Sequence, residues 1–104
     1  MNNRLNESRW LVVSVPAKIE DSLVDWLLLH TGGKDFSSVA LNGYSQHHEE
    51  FTVSEQVAGY RQRIRFELLL SAAEADGVVA GLKRDFYGTG LRYSLFPLLE
   101  GGEI

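Results

Sequence analysis

His47, His48, Glu49 and Glu50 stand together in the run "QHHEE". Neutral imidazoles beside carboxylates suit zinc, copper or nickel, which makes this the candidate site for a divalent or soft transition metal. In extended backbone, neighbouring side chains point to opposite sides, so His47 and His48 cannot both grip one ion unless a turn converges them. A second arrangement pairs His47 with Glu49 and takes further ligands from another subunit. The competing reading is a solvated loop tip in which the histidines are only polar. His30, at an expected helix end, is read as a partner of the helix dipole and not as a ligand.

Arg61, Arg63 and Arg65 follow at every second position. On a strand this spacing puts all three on one face, a ladder of fixed positive charge able to hold a phosphate or carboxylate effector. The alternative is structural: pairing with Glu67, Glu49, Glu50, Glu55 or a neighbouring subunit's acids. Like charges this close need partners in any assembly, which favours the pairing account. Between the two groups lies "SEQVAG". Ser54 is expected to cap a short helical turn that ends at Gly59, or else Glu55 and Gln56 face a ligand at the loop base. Gly88-Thr89-Gly90 has no phosphate-loop lysine beside it and reads as a turn between helix and strand.

No recognisable spacing joins a nucleophile to a base or sets two carboxylates in a cleft, so the chain is not read as an enzyme. A net charge of -4 argues against a nucleic-acid partner, which a basic face would normally serve. There is no cysteine, so disulfides and thiolate metal sites are excluded. No apolar run is long enough to insert in a membrane, and "MNNRLNESR" lacks the layout of a secretory signal. A cytoplasmic protein is expected, with residues 1–8 as a flexible polar tail and 9–104 as one domain.

The elements that must position these residues follow from periodicity. "RWLVVSV" is apolar on both faces and predicts a central strand ended by Pro16. Ile19, Leu23, Trp26 and Leu27 recur at helical spacing, with acids at the start and Gly32 and Gly33 beyond the end. "DFSSVALNGYS" predicts a second strand with Gly43 at a bulge or its end. "RQRIRFELLLS" alternates strictly, with Ile64, Phe66, Leu68 and Leu70 against the arginines and Glu67. Ser71 with Glu74 forms a capping box for a second helix, whose stripe is Val78, Val79, Leu82 and Phe86. "LRYSLFPLLE" completes the set, with Pro97 marking an edge or bulge.

The order β-α-β-β-α-β with right-handed crossovers predicts an α+β, ferredoxin-like sandwich: a four-stranded antiparallel sheet with both helices on one face. Trp10, Val12, Phe36, Ala40 and either Tyr93 or Phe96 are expected on the other face, beside the arginines. That much apolar surface predicts assembly with further copies.

"VDWLLLH", "TVSEQVAGYRQR" and "LRYSLFPLLEGG" resemble, in order and spacing, the bacterial family called domain of unknown function 3240, over roughly Trp10 to Gly102. The resemblance implies a PII-like, ferredoxin-like fold and a trimer with the sheets lining its interior. It also implies that the connection between the second and third strands, about Ser45 to Tyr60, faces partners, with small effectors bound at its base between subunits. "YGTGLRY" lies where PII-type proteins place a loop that contributes to nucleotide binding. Members of the family are often encoded near heavy-metal efflux systems, which implies metal response and a membrane efflux or transport protein as partner. Where the family commonly carries histidine after the glycine of the second strand, this chain has Tyr44, with its histidines at His47 and His48. The expectation is a non-enzymatic sensor or regulatory adaptor; the alternative is a structural protein-interaction module without a small-molecule effector.

Overall fold

The computed structural model describes residues 7–44 and 52–104. Within them, β1 (Ser8–Pro16) leads through a 3-10 turn (Ala17–Ile19) into α1 (Glu20–His30) and β2 (Ser37–Gly43). A short α2 (Val53–Ala58) precedes β3 (Arg61–Ser71), α3 (Ala72–Asp85) and β4 (Arg92–Pro97). All pairings are antiparallel and the strand order is β2-β3-β1-β4. This is the expected sandwich with one short helix added. β1 starts at Ser8, the residue with which the expected tail ends, because Ser8 pairs with Ser71.

Period-two alternation divides the two central strands cleanly. Leu11, Val13 and Val15 of β1 face Leu68, Phe66 and Ile64 of β3, and all six are buried beneath the helices. Leu23, Trp26 and Leu27 of α1 and Ala75, Val78 and Leu82 of α3 close this core from above. The two helices pack closely where Gly81 lies under Trp26. A Cβ on Gly81 would come within 2.7 Å of Trp26 Cζ2, so any side chain there must displace the indole. Trp26 Nε1 donates to Asp85 Oδ2 at 2.8 Å, and the His30 ring stacks on the indole at 4.2 Å between centroids. Those contacts join the end of α1 to the end of α3. The capping box on α3 forms as expected, with Ser71 Oγ accepting from Glu74 N and Glu74 Oε1 from Ser71 N.

Phe36 and Ala40 lie on the helix side of the sheet and not on the open face where the sequence put them. Ala40 pairs with Ile64, and directly paired residues share a face. Phe36 packs against the core, its ring 6.1 Å from that of Phe66. The register with β3 therefore sends Val39 and Leu41 to the open face in their place.

Candidate functional site

The open face reads as successive rows across the strands. Leu69, Trp10 and Phe96 form one end; Glu67 and Val12 follow, with Ser37 and Ser94 outside them. The next row is Val39, Arg65, Ser14 and Arg92, and then Leu41, Arg63 and Pro16. The face is apolar at one end and basic at the other. Of the residues expected there, Trp10, Val12 and Phe96 hold their places, whereas Tyr93 turns to the helix side, beneath Lys83.

The three arginines of β3 share this face but have different surroundings. Arg61 Nε lies 3.5 Å from Glu55 Oε1, and Arg65 Nε lies 3.1 Å from Glu67 Oε2. Both are ion pairs between partly exposed groups, as the pairing account anticipates. Arg63 has no carboxylate partner among the described residues and is only 5% exposed. Its Nε donates to Ser14 Oγ at 3.2 Å, and its Nη2 donates to the carbonyls of Ser14 at 2.9 Å and Gly90 at 2.8 Å. Burial, and then the charges of Arg92 and Arg61, hold its pKa below the ordinary arginine value. Arginine stays protonated at any physiological pH, so this guanidinium is a buried cation.

Three small residues build the seat for Arg63. Ser14 is short enough to lie under the guanidinium and supplies an acceptor. Gly43 leaves room for the stem, since a Cβ there would meet Arg63 Cδ at 3.2 Å. Gly90, with φ +87°, turns its carbonyl toward the guanidinium where its own Cβ would crowd Pro16 at 3.1 Å. The Gly88-Thr89-Gly90 segment is thus the expected turn, and it also closes over Arg63. Beside it a groove of about 250 Å³ is lined by Ser14, Leu41, Arg63, Arg65, Arg92 and Ser94. The sequence reading missed Ser14, Arg92 and Ser94. A lone serine inside an otherwise apolar strand was the available signal for the first.

At the base of the β2–β3 connection, α2 is capped as expected, but two residues earlier than Ser54 and by a full capping box. Thr52, not Ser54, is the N-cap: Thr52 Oγ1 accepts from Glu55 N and Glu55 Oε1 from Thr52 N. Gly59 ends the helix in the left-handed conformation at φ 83°. Glu55 thereby serves both cap and ion pair and turns toward Arg61. Gln56 is exposed on α2. Tyr44 and Tyr60 approach across the root of the connection, with centroids 5.8 Å apart. His47, His48, Glu49 and Glu50 lie outside the described residues. His30 sits at the end of α1, with Nδ1 2.9 Å from the Trp26 carbonyl.

On the helix side, a second cavity of about 390 Å³ lies between α3 and the turn into β4, lined by Leu82, Lys83, Phe86, Tyr87, Leu91 and Tyr93. Lys83 Nζ rests 5.6 Å above the Tyr93 ring. No helix among the described residues is long and apolar enough to cross a membrane.

Several solved structures share this architecture. A DUF3240 family protein from Shewanella baltica superposes with a TM-score of 0.72 at 23% identity, over 94% of this chain and 97% of that one. CPII, a nitrogen regulatory PII-like protein from Thiomonas intermedia K12 bound to ADP, AMP and bicarbonate, gives 0.68 at 16% identity, over 93% and 96%. CutA from Synechococcus elongatus, complexed with Bis-Tris, gives 0.67 at 8% identity, over 93% and 85%. A comparison with curated proteins gives no match. These likenesses establish a PII-like, ferredoxin-like fold. The family described as "Protein of unknown function (DUF3240)" matches residues 6–104, nearly the whole length, and the chain belongs to that family.

Proposed function

We propose that this chain is a non-enzymatic, PII-like regulatory adaptor of the cytoplasm, assembled as a homotrimer through the open sheet face. The β2–β3 connection is its responding element, and a metal ion or a small anion is the effector. Effector binding shifts the population of conformers of that connection and so alters partner binding, with no chemical step. A membrane efflux or transport protein is the partner that the family resemblance favours.

The observation that carries the reading is the division of the open face. Leu69 and Phe96 are 46% and 49% exposed at its apolar end, although they flank Trp10 in one continuous row. Residues 99–104 are themselves exposed. Copies of the chain are the economical cover for such a row, and the basic end then lies inside the assembly, where an anion offsets its charge. CPII, which shares the fold, was solved with ADP, AMP and bicarbonate, which supports a small anionic effector over a purely structural module.

Titration calorimetry with copper, zinc, nickel and adenine nucleotides tests the effector. Heat lost on replacing His47 and His48 assigns a metal, and loss confined to arginine variants assigns an anion. Silence across the panel would return the protein to a structural interaction module.

A further inference from the structure

We propose that Arg63 Nη1, Arg92 and Ser94 form a binding site for a small oxyanion, a carboxylate or phosphate group, in the groove over Ser14 on the open sheet face. The inference rests on the reading above only in taking the effector to be an anion, and it names the site and the ligand class.

Arg63 is a buried cation with one end unused. Nε and Nη2 of Arg63 are committed to Ser14 and Gly90, whereas Nη1 donates to nothing among the described residues. No buried side-chain nitrogen or oxygen among the described residues lacks a partner, so Nη1 is not sealed inside the protein. Arg63 lines the groove and is otherwise buried, which leaves Nη1 with its two N–H groups at the groove surface. A guanidinium locked on one side by its own chain and open on the other is a pre-organised anion donor.

A second cation converges on the same place. Arg92 and Arg65 both pair with Ser14, one from β4 and one from β3, so the two flank this short residue on a single face. Arg65 is engaged by Glu67, but Arg92 has no ion pair among the described residues. The groove is therefore bordered by two guanidiniums without carboxylates and a third that is only partly neutralised. Buried or crowded charges of one sign are costly unless something of the opposite sign joins them. Arg63 offers the two N–H groups of Nη1, Arg92 can present two parallel N–H donors, and Ser94 on β4 adds a hydroxyl at the groove wall.

Size and composition narrow the class. At about 250 Å³ the groove is smaller than the pockets that hold drug-sized ligands. Besides the arginines and serines its walls are Val12, Leu41, Gly43 and Tyr93, with no carboxylate among them. The match is to one oxyanion group, either a free ion or the terminal group of a larger molecule whose remainder stays outside.

Calorimetry at low ionic strength tests the site with inorganic phosphate, bicarbonate and acetate, using chloride at equal ionic strength as the reference and AMP as the phosphate-bearing competitor. Saturable binding of at least one oxyanion is expected, weakened about tenfold or more by Arg92→Gln, with the thermal unfolding midpoint unchanged. Ser94→Ala is expected to weaken it less. Arg92 and Ser94 are exposed, so these variants carry the test even where Arg63→Lys fails to fold. Displacement of phosphate by AMP would assign the group to a nucleotide, and its absence would assign a free ion; either retains the site. No saturable heat with any of the three oxyanions, or binding that Arg92→Gln leaves untouched, would overturn it. Protease cleavage between β2 and β3 separates this from the regulatory reading. Oxyanion binding lost in Arg92→Gln but without effect on cleavage keeps the site and removes the sensor. A metal that changes cleavage in a protein blind to oxyanions does the reverse.

Discussion

The two faces of one sheet have different relationships to the rest of the chain. On the helix side, Leu11, Val13, Val15 and Phe66 have no solvent exposure, because α1 and α3 supply the opposing surface. On the open side, the same strands present Leu69, Trp10 and Phe96 at one end and Arg63, Arg65 and Arg92 at the other. The first face is completed within the chain, and its stability is intramolecular. The second leaves an apolar row part-exposed at one end and gathers cations at the other. A small fold can thus keep folding and function on opposite sides of a single layer.

The contrast is sharpest between one phenylalanine on each face. Phe66→Ala empties the centre of the helix-side core and is expected to cost about 3–5 kcal/mol, measured by urea unfolding. Phe96→Ser on the open face should cost the folded chain under about 1 kcal/mol. Its effect should appear instead in assembly. Equal losses at both positions would erase the distinction between the faces.

Within the open face, Arg63 and Arg65 provide the next contrast. Arg63→Met strands the carbonyls of Ser14 and Gly90 and removes the tie that holds the turn into β4. A loss of about 1–3 kcal/mol is expected. Arg65→Met removes an exposed pair and should change stability by less than about 1 kcal/mol. If the two variants unfold alike, Arg63 is not the anchor that its hydrogen bonds indicate.

Back on the helix side, Gly81→Ala should destabilise by up to about 2 kcal/mol. Crowding against Trp26 costs about 1–3 kcal/mol, and the helix-propensity gain of about 1 kcal/mol only partly offsets it. Gly77, on the same helix with nothing within 4 Å of an added Cβ, is the control, and Gly77→Ala should stabilise.

The smallest expected effect is one of pH. The Arg84 side chain and then the Trp26 N–H hold the Asp85 carboxylate well below its usual pKa. A carboxyl group whose folded-state pKa is depressed stabilises the fold above its unfolded value, about 4. That contribution fades as pH falls from about 4 through the folded-state pKa. Asp85→Asn should flatten the acid limb of a stability-versus-pH profile and leave neutral stability less affected.

How much of this could be read from the sequence depended on whether the cause was local. The alternation Ile64, Phe66, Leu68, Leu70 announces a strand with one apolar face, and the sheet honours it. Ser71 and Glu74 lie three apart, and their capping box forms as the spacing requires. The cap at α2 was also local, and Thr52 with Glu55 fits the capping-box spacing that Ser54 does not. The parity of β2 was not local. Its loose alternation left both faces open, and only the register with β3 turned Ala40 inward and Val39 outward. Nor was the seat of Arg63, which draws Ser14, Gly43 and Gly90 from three separate segments. An arginine ladder in sequence is three equivalent charges; the fold makes one of them a buried anchor with a donor to spare.

The central claim is that copies of this chain cover the apolar end of the open face. Sedimentation equilibrium at micromolar concentration, on the native protein and on Phe96→Glu, tests it most directly. The account predicts a trimer for the first and dissociated chains of unchanged circular dichroism for the second. A native protein that sediments as a monomer would contradict it.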